Sequence, residues 1–344
     1  MNVVFSSSES YAKCTGVAIC SLLVTNTELK ELNIYVIITD MTIENQTKIY
    51  NMGSNYGRTI SFIHADNILK NAQYELGLTA FKGGLNTYAR AIANKVMPSN
   101  VDKALFVDSD IVFNGSLKDI EELEMELTII AGVPEVMLMT KFVCYEDVEL
   151  LEQCSNYVNY GVVYVNLKNW RRFDGDEMIK QCVISYGKKF HIAEQSILNL
   201  TFKDYTEVLP CNYNYYTMLH GVSYETLMKR YPRRKLFSKK EVQEAAENPI
   251  IIHFVGDYFN RPWYKNNICK YNDTYEKYYK LSPWCDEELD DIPDGISIIF
   301  KIYYSILIYL KKNQYDEMYF KLRYIWIQWI RERIPSIDRI KRTM

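Results

Sequence analysis

The chain has 344 residues, enough for one large α/β unit with an appendage. Its 40 Lys and Arg stand against 43 Asp and Glu, a formal net charge of −3 that excludes a general nucleic-acid binder. With 48% hydrophobic and 24% charged residues the composition is that of a globular protein, and 29 tyrosines supply side chains suited to half-polar clefts. The eight cysteines include no C-x-x-C pair, which argues against a zinc knuckle or redox motif and for small buried hydrophobes. The opening MNVVFSSS has no basic region and no signal-peptide apolar core, so a reducing cytosol is the expected compartment.

In chain order, Asn2–Phe5 reads as a buried parallel strand that ends in a polar loop, Ser6 to Ser10. Residues 11–26 read as a helix, Leu32–Ile38 as a strand ending at Asp40, residues 43–55 as an amphipathic helix, and Ile60–Ile63 as a strand. This β-α-β-α-β order predicts a parallel sheet with helices on both faces and a ligand at the carboxyl edge of the strands. A helix is expected over Asn86–Met97, a strand over Lys103–Val107, and further strands over Leu127–Gly132 and Val162–Val165. Helices follow at 176–188 and 193–202, then a late strand, Ile250–His253. The acidic stretch Asp286–Asp294, which runs into Gly295, reads as a linker.

Asp108-Ser109-Asp110 follows the apolar strand Lys103–Val107 at the expected ligand edge. Two carboxylates flanking one residue can hold a hard divalent cation through oxygen, and such a cation offsets charge growing on a diphosphate leaving group. His253, ending its own strand, is a third candidate ligand. It heads a segment in which Gly256 permits close backbone approach to a phosphate and Arg261 offers a fixed fork for phosphate oxygens.

In these blocks the sequence resembles glycosyltransferase family 8, which includes bacterial lipopolysaccharide galactosyltransferases and glycogenin. The resemblance runs from Val3 to about Trp263: the opening strand and loop to Tyr11; Tyr88-Ala89-Arg90; Asp108-Ser109-Asp110; Asn159-Tyr160-Gly161-Val162 followed by Asn166 to Trp170; Glu194-Gln195 through Asn199; and His253, Gly256 and Arg261-Pro262-Trp263. It implies a GT-A nucleotide-sugar-binding fold, with a mixed, mostly parallel sheet flanked by helices. It also implies a UDP-sugar donor, dependence on Mn²⁺ (or Mg²⁺) and retention of anomeric configuration. Carried over, Asp108, Asp110 and His253 coordinate the metal. Tyr11 stacks on uracil, Ser8 and Ser10 stand at the uracil edge, and Ser6, Ser8 and Ser109 are substrate-binding residues. Arg90 contacts the donor's phosphate or sugar, and Gly256 and Arg261 the diphosphate. Asn159, Gln195 and Glu194 line the sugar pocket, the last two as the catalytic pair, and Glu135 lies on the acceptor side. The sequence departs from the family at Ser8 and Ser10, where acidic or amide residues are usual, at Glu194 in place of Asp, and at Arg261 in place of Lys.

The expected organisation is a catalytic domain over residues 1–284 and a helical appendage over 285–344. Residues 296–310 are almost wholly apolar but too short for a confident membrane span. Residues 301–344 carry ten Lys or Arg against four Asp or Glu, a net of +6 that leaves −9 for the rest. With Trp326 and Trp329 this suggests a basic aromatic helix on an anionic membrane surface, at the inner face of the cell membrane. Because the active-site blocks all lie upstream of Ile296, donor hydrolysis is expected to survive loss of this tail. The leading function is thus hexose transfer from UDP-glucose or UDP-galactose to a cell-surface glycan or lipid-linked acceptor. The alternatives are a nucleotidyltransferase, which gives no reason for the His253–Trp263 block, and a non-catalytic UDP-sugar-binding relative.

Overall fold

The structure is a computed structural model that describes residues 1–76, 88–135, 154–186, 193–216, 219, 224–225, 237–256, 258–291 and 298–333. Its centre is a seven-stranded sheet in the order β3-β2-β1-β4-β7-β6-β8. The strands are β1 (Asn2–Ser7), β2 (Asn33–Ile38), β3 (Ile60–His64), β4 (Lys103–Val107), β6 (Ile130–Pro134), β7 (Val158–Asn166) and β8 (Thr206–Val208). Strand β7 is antiparallel to both its neighbours, and every other pairing in the sheet is parallel. A second sheet joins β5 (Ile111–Phe113), β10 (Ile251–His253) and β9 (Tyr215–Tyr216). Val3, Val4 and Phe5 are buried on both faces of β1, as a central parallel strand requires.

Helix α1 (Ala12–Thr25) is buried nearly all round; from Ala12 to Leu23 only Lys13 is partly exposed. Gly16 lets it approach Trp284, whose ring would lie 1.9 Å from a Cβ placed there. Helix α2 (Ile43–Asn55) starts on Thr42, whose hydroxyl accepts from Asn45 N. Helix α3 (Asp66–Leu76) is absent from the sequence reading, although Leu69, Ala72 and Leu76 bury one face at helical spacing.

Four sequence expectations need correction. In place of a helix from Asn86 to Met97, the described residues of that stretch hold α-helix over α4 (Ala93–Val96) alone; Asn86 and Thr87 lie outside the described residues. The amides of Arg90 and Ala91 are given to the Glu194 carboxylate, which takes them out of any helical ladder. The strand expected over Leu127–Gly132 sits further on, as β6, and β7 is far longer than Val162–Val165 because it is paired along both edges. The stretch read as a linker is packed as far as Asp291, and residues 292–294 lie outside the described set. Asp290 N donates to Trp263 O and Lys265 N to Asp290 O. Lys13 pairs with Asp290 at 3.1 Å and with Glu287 at 3.3 Å.

After α5 (Lys118–Glu121), helices α6 (Leu167–Arg172), α7 (Gly175–Tyr186) and α8 (Ala193–Thr201) cover one face of the sheet. Helix α9 (Lys239–Glu247) opens with a capping box between Ser238 and Glu241, and α10 (Asn272–Tyr279) packs on α1. Two last helices, α11 (Ile298–Lys312) and α12 (Asp316–Arg333), bury Tyr303, Leu307, Leu310 and Tyr319 with Phe259 in a separate apolar cluster. Among the described residues no helix is long and apolar enough to cross a membrane. Seven cysteines are described; six are buried and only Cys285 is exposed.

Candidate active site

The site lies where β1, β4 and β10 end. Strand β4 runs out at Val107 and the chain turns through Asp108-Ser109-Asp110 into β5, which pairs antiparallel with β10 so that Ile111 faces His253. Backbone bonds hold both arms of this turn: Asp108 N donates to Gly161 O and Phe254 N to Asp110 O, each at 2.8 Å. The result brings one ligand atom from each of Asp108, Asp110 and His253 within 4.8 Å of one another. His253 Nε2 is 3.2 Å from Asp110 Oδ1 and 3.6 Å from Asp108 Oδ2.

This donor set fits a divalent cation on three counts. Two carboxylate oxygens and an imidazole nitrogen suit Mn²⁺, and the carboxylates suit Mg²⁺. His253 Nδ1 lies 2.9 Å from Asn214 Oδ1, an acceptor that places the ring proton on Nδ1 and leaves the Nε2 lone pair facing both aspartates. Gly161 forms the floor: a Cβ there would lie 2.2 Å from His253 Cε1 and 2.9 Å from Asp108 Oδ2, so any side chain would fill the cradle.

Burial alone would lower the His253 pKa, but Asp110 and Asp108 outweigh it and raise it. Burial pushes the Asp110 carboxyl up, yet the charges of His253 and Arg261 hold it below its ordinary value.

The remaining sequence-predicted residues gather around this centre. Arg90, buried, donates from Nη2 to Asp108 Oδ1 at 2.5 Å, and its Nε has no partner. Asn159 donates to Glu135 Oε2 at 2.6 Å and accepts from Asn214 Nδ2 and Gly161 N, each at 2.9 Å. Gln195 Oε1 accepts from Tyr160 N at 3.0 Å while its Nε2 donates to Glu135 Oε2 at 3.3 Å. The structure therefore brings two carboxylates to the candidate site residues, Glu135 on Asn159 and Gln195, and Glu194 against Arg90. Burial pushes Glu194 up to about 8, against the opposing pull of Arg90, and its Oε1 has no partner.

On the other side Arg261 Nη1 reaches the Tyr11 hydroxyl at 3.4 Å and its guanidinium lies over Trp263 at 5.5 Å. Gly256 has φ +131°, which only glycine adopts without strain, and open space around it. Ser8 and Ser10 bond each other at 3.0 Å. Ser109 turns inward: its buried hydroxyl donates to Ser6 O at 2.9 Å and accepts from Thr15 at 2.8 Å, tying the Asp-x-Asp turn to the first loop. Sequence reasoning missed Asn214 and Thr15, since both act through a hydrogen bond to a site residue distant in the chain. Gly161 was visible in its Asn-x-Gly block, without its reason.

The fold these elements build is the GT-A glycosyltransferase fold. It matches the solved galactosyltransferase LgtC in complex with donor and acceptor sugar analogs, at a TM-score of 0.66 and 19% identity over 86% of this chain and 98% of that one. The bifunctional glycosyltransferase WbbM matches at 0.68 and 20%, over 83% of this chain and 50% of that one. The profile of glycosyl transferase family 8 matches residues 2–267, and the chain belongs to that family. It is 26% identical over 322 residues to a lipopolysaccharide 1,2-glucosyltransferase of Escherichia coli strain K12, covering 90% of this chain and 85% of the relative. It is 27% identical over 275 residues to a putative glycosyltransferase of Haemophilus influenzae, covering 77% and 73%.

Proposed function

We propose that this family 8 member is a metal-dependent, retaining hexosyltransferase that moves glucose or galactose from a UDP-sugar to a cell-surface glycan or lipid-linked oligosaccharide. The observation that carries the reading is the Asp108, Asp110 and His253 cluster over the bare Gly161 floor. Bound there, Mn²⁺ or Mg²⁺ supplies positive charge against the diphosphate as the sugar–phosphate bond breaks. The chain's own residues do the rest. Tyr11 stacks on the uracil, with Ser6 and Ser8 beside it, and Arg261 forks the diphosphate. Arg90, fixed by Asp108, faces the donor. Asn159, Glu135, Gln195 and Glu194 hold the hexose.

Retention follows from attack on the face the diphosphate leaves, with the departing phosphate taking the acceptor's proton. One lone pair of the Gln195 carbonyl is used by Tyr160 N, and the other is left to stabilise positive charge at the anomeric carbon. Hydrolysis of a panel of nucleotide sugars, with and without EDTA, tests the reading. Turnover with no UDP-sugar, or undiminished turnover in EDTA, would overturn it.

The acceptor reading is supported by the last two helices. Helix α11 presents Ile299, Ile302, Ile306 and Tyr309 to solvent at helical spacing, Tyr315 follows in the connection between the two helices, and α12 adds Met318 and Ile325. Tyr309 and Tyr315 meet at 6.5 Å, which joins the two stripes. Such an apolar face on a basic segment suits the anionic inner surface of a membrane that presents a lipid-linked acceptor. The residues to 284 would be the catalytic domain and those from 285 its surface-seeking appendage.

A further inference from the structure

The turn Tyr258–Asn260 connects the strand that ends in His253 to Arg261, and its two sides face different parts of the protein. Backbone bonds make it one piece with Arg261: Arg261 N donates to Tyr258 O at 3.0 Å, Tyr264 N to Arg261 O at 3.2 Å, and Ile268 N to Phe259 O at 2.7 Å. On the inner side Arg261 spans Trp263 and the Tyr11 hydroxyl, and its buried Nε has no partner. On the outer side Phe259 is 3% exposed, and every other fully buried member of its cluster comes from α11 or α12. The Tyr304 ring of α11 meets Phe259 at 5.7 Å and Tyr258 at 6.3 Å, edge to face, and Tyr258 meets Tyr264 at 5.0 Å in the same manner.

We infer that α11 is a positioning element of the donor site: by seating Phe259 and Tyr258, Tyr304 sets the turn that aims Arg261. A three-residue 3₁₀ turn has little stability of its own, so its geometry is dictated by what packs on it. Here the packing comes from a segment that the sequence separates from every active-site block. Removal of that segment would expose Phe259 and release the turn, so donor hydrolysis would not survive intact, contrary to the expectation from the sequence. The inference rests on Arg261 gripping the diphosphate, and its test separates the two.

The test titrates UDP in the presence of Mn²⁺ into the full-length chain by calorimetry. Tyr304→Ala should weaken UDP binding about tenfold, the size expected when a contacting pair is uncoupled. Tyr304→Phe, which keeps the ring, should restore it, and Ile302→Ser on the exposed face should leave it unchanged. In an Arg261→Ala background, Tyr304→Ala should cause no further loss, because it acts through Arg261; a purely structural role would add in full. Where Tyr304→Ala does not fold, Tyr304→Leu keeps the apolar bulk without the ring edge and should weaken binding about threefold. Unchanged affinity in Tyr304→Ala or Tyr304→Leu, or full additivity with Arg261→Ala, overturns the inference alone. Unchanged affinity in Arg261→Ala overturns the diphosphate role, and the inference with it.

Discussion

Asn214 Oδ1 lies 2.9 Å from His253 Nδ1, and the same amide donates from Nδ2 to Asn159 Oδ1. One buried side chain thus fixes the tautomer of a candidate metal ligand and the orientation of Asn159, a candidate sugar-pocket residue. Asn214→Ala should raise the Mn²⁺ concentration needed for half-maximal donor hydrolysis by about 10- to 100-fold, the usual cost of losing a partner behind a metal-bound histidine. Asn214→Asp keeps the acceptor and should lose less. Metal titrations of the two variants that superimpose on wild type would remove Asn214 from this role.

Asp110→Asn should remove most activity with little change in fold, since the carboxylate points into the site and its backbone carbonyl still accepts from Phe254 N. Losing one preorganised charge costs about 3–4 kcal/mol in the transition state, or several hundredfold in rate. Mn²⁺-dependent turnover together with a thermal melt checks both halves.

Gly161→Ala places a methyl group 2.2 Å from His253 Cε1 and against Asp108. The floor is backbone held at both its polar groups, its carbonyl by Asp108 N and its amide by Asn159 Oδ1, so the ligands must give way. Overpacking of this kind costs about 1–3 kcal/mol of stability. Mn²⁺ binding, followed by electron paramagnetic resonance of the free ion, should fall much further than the melting temperature. Retained Mn²⁺ binding would show that the cation sits elsewhere.

Glu194 gives a pH prediction. Its folded pKa of about 8 lies above the ordinary glutamate value of about 4.5, so between those values the folded protein holds a proton that the unfolded chain has lost. Its contribution to stability is full at low pH and falls as pH rises through about 8, by about 1.4 kcal/mol per pH unit within that window. Glu194→Gln mimics the protonated form and should flatten the difference. Denaturant melts of both proteins at pH 5, 7 and 9 measure it, and parallel pH profiles would contradict the assignment.

How much of this was legible in the sequence differs by part. The first three strands, both flanking helices and the Asp-x-Asp position follow from local periodicity, because buried parallel strands are continuous apolar runs. The Tyr88–Ile92 turn was misread as helix because its amides serve a carboxylate more than a hundred residues away, which no local pattern reports. The acidic stretch from Asp286 looked like a linker by composition, yet Asp290 and Glu287 are the ion partners of Lys13 on α1. The three candidate metal ligands could be nominated from their strand ends. Asn214 could not, since it carries no motif and is identified only by facing His253.

The outer face of α11 supplies the last prediction. Ile299, Ile302, Ile306 and Tyr309 are each between 45% and 60% exposed, while Tyr303, Leu307 and Leu310 on the adjoining face are buried. Inserting one exposed isoleucine into a bilayer interface is worth up to about 1.5–3 kcal/mol, against about 1 kcal/mol for each nearby Lys or Arg. Apolar insertion should therefore dominate, and high salt should weaken sedimentation with anionic liposomes without abolishing it. The double change Ile302→Ser with Ile306→Ser should release most of the protein from the liposomes. Both positions face away from Phe259, so hydrolysis of donor in solution should be unchanged, while transfer to a lipid-linked acceptor should fall. If the intact chain ignores anionic liposomes at low salt, this face is not a membrane surface.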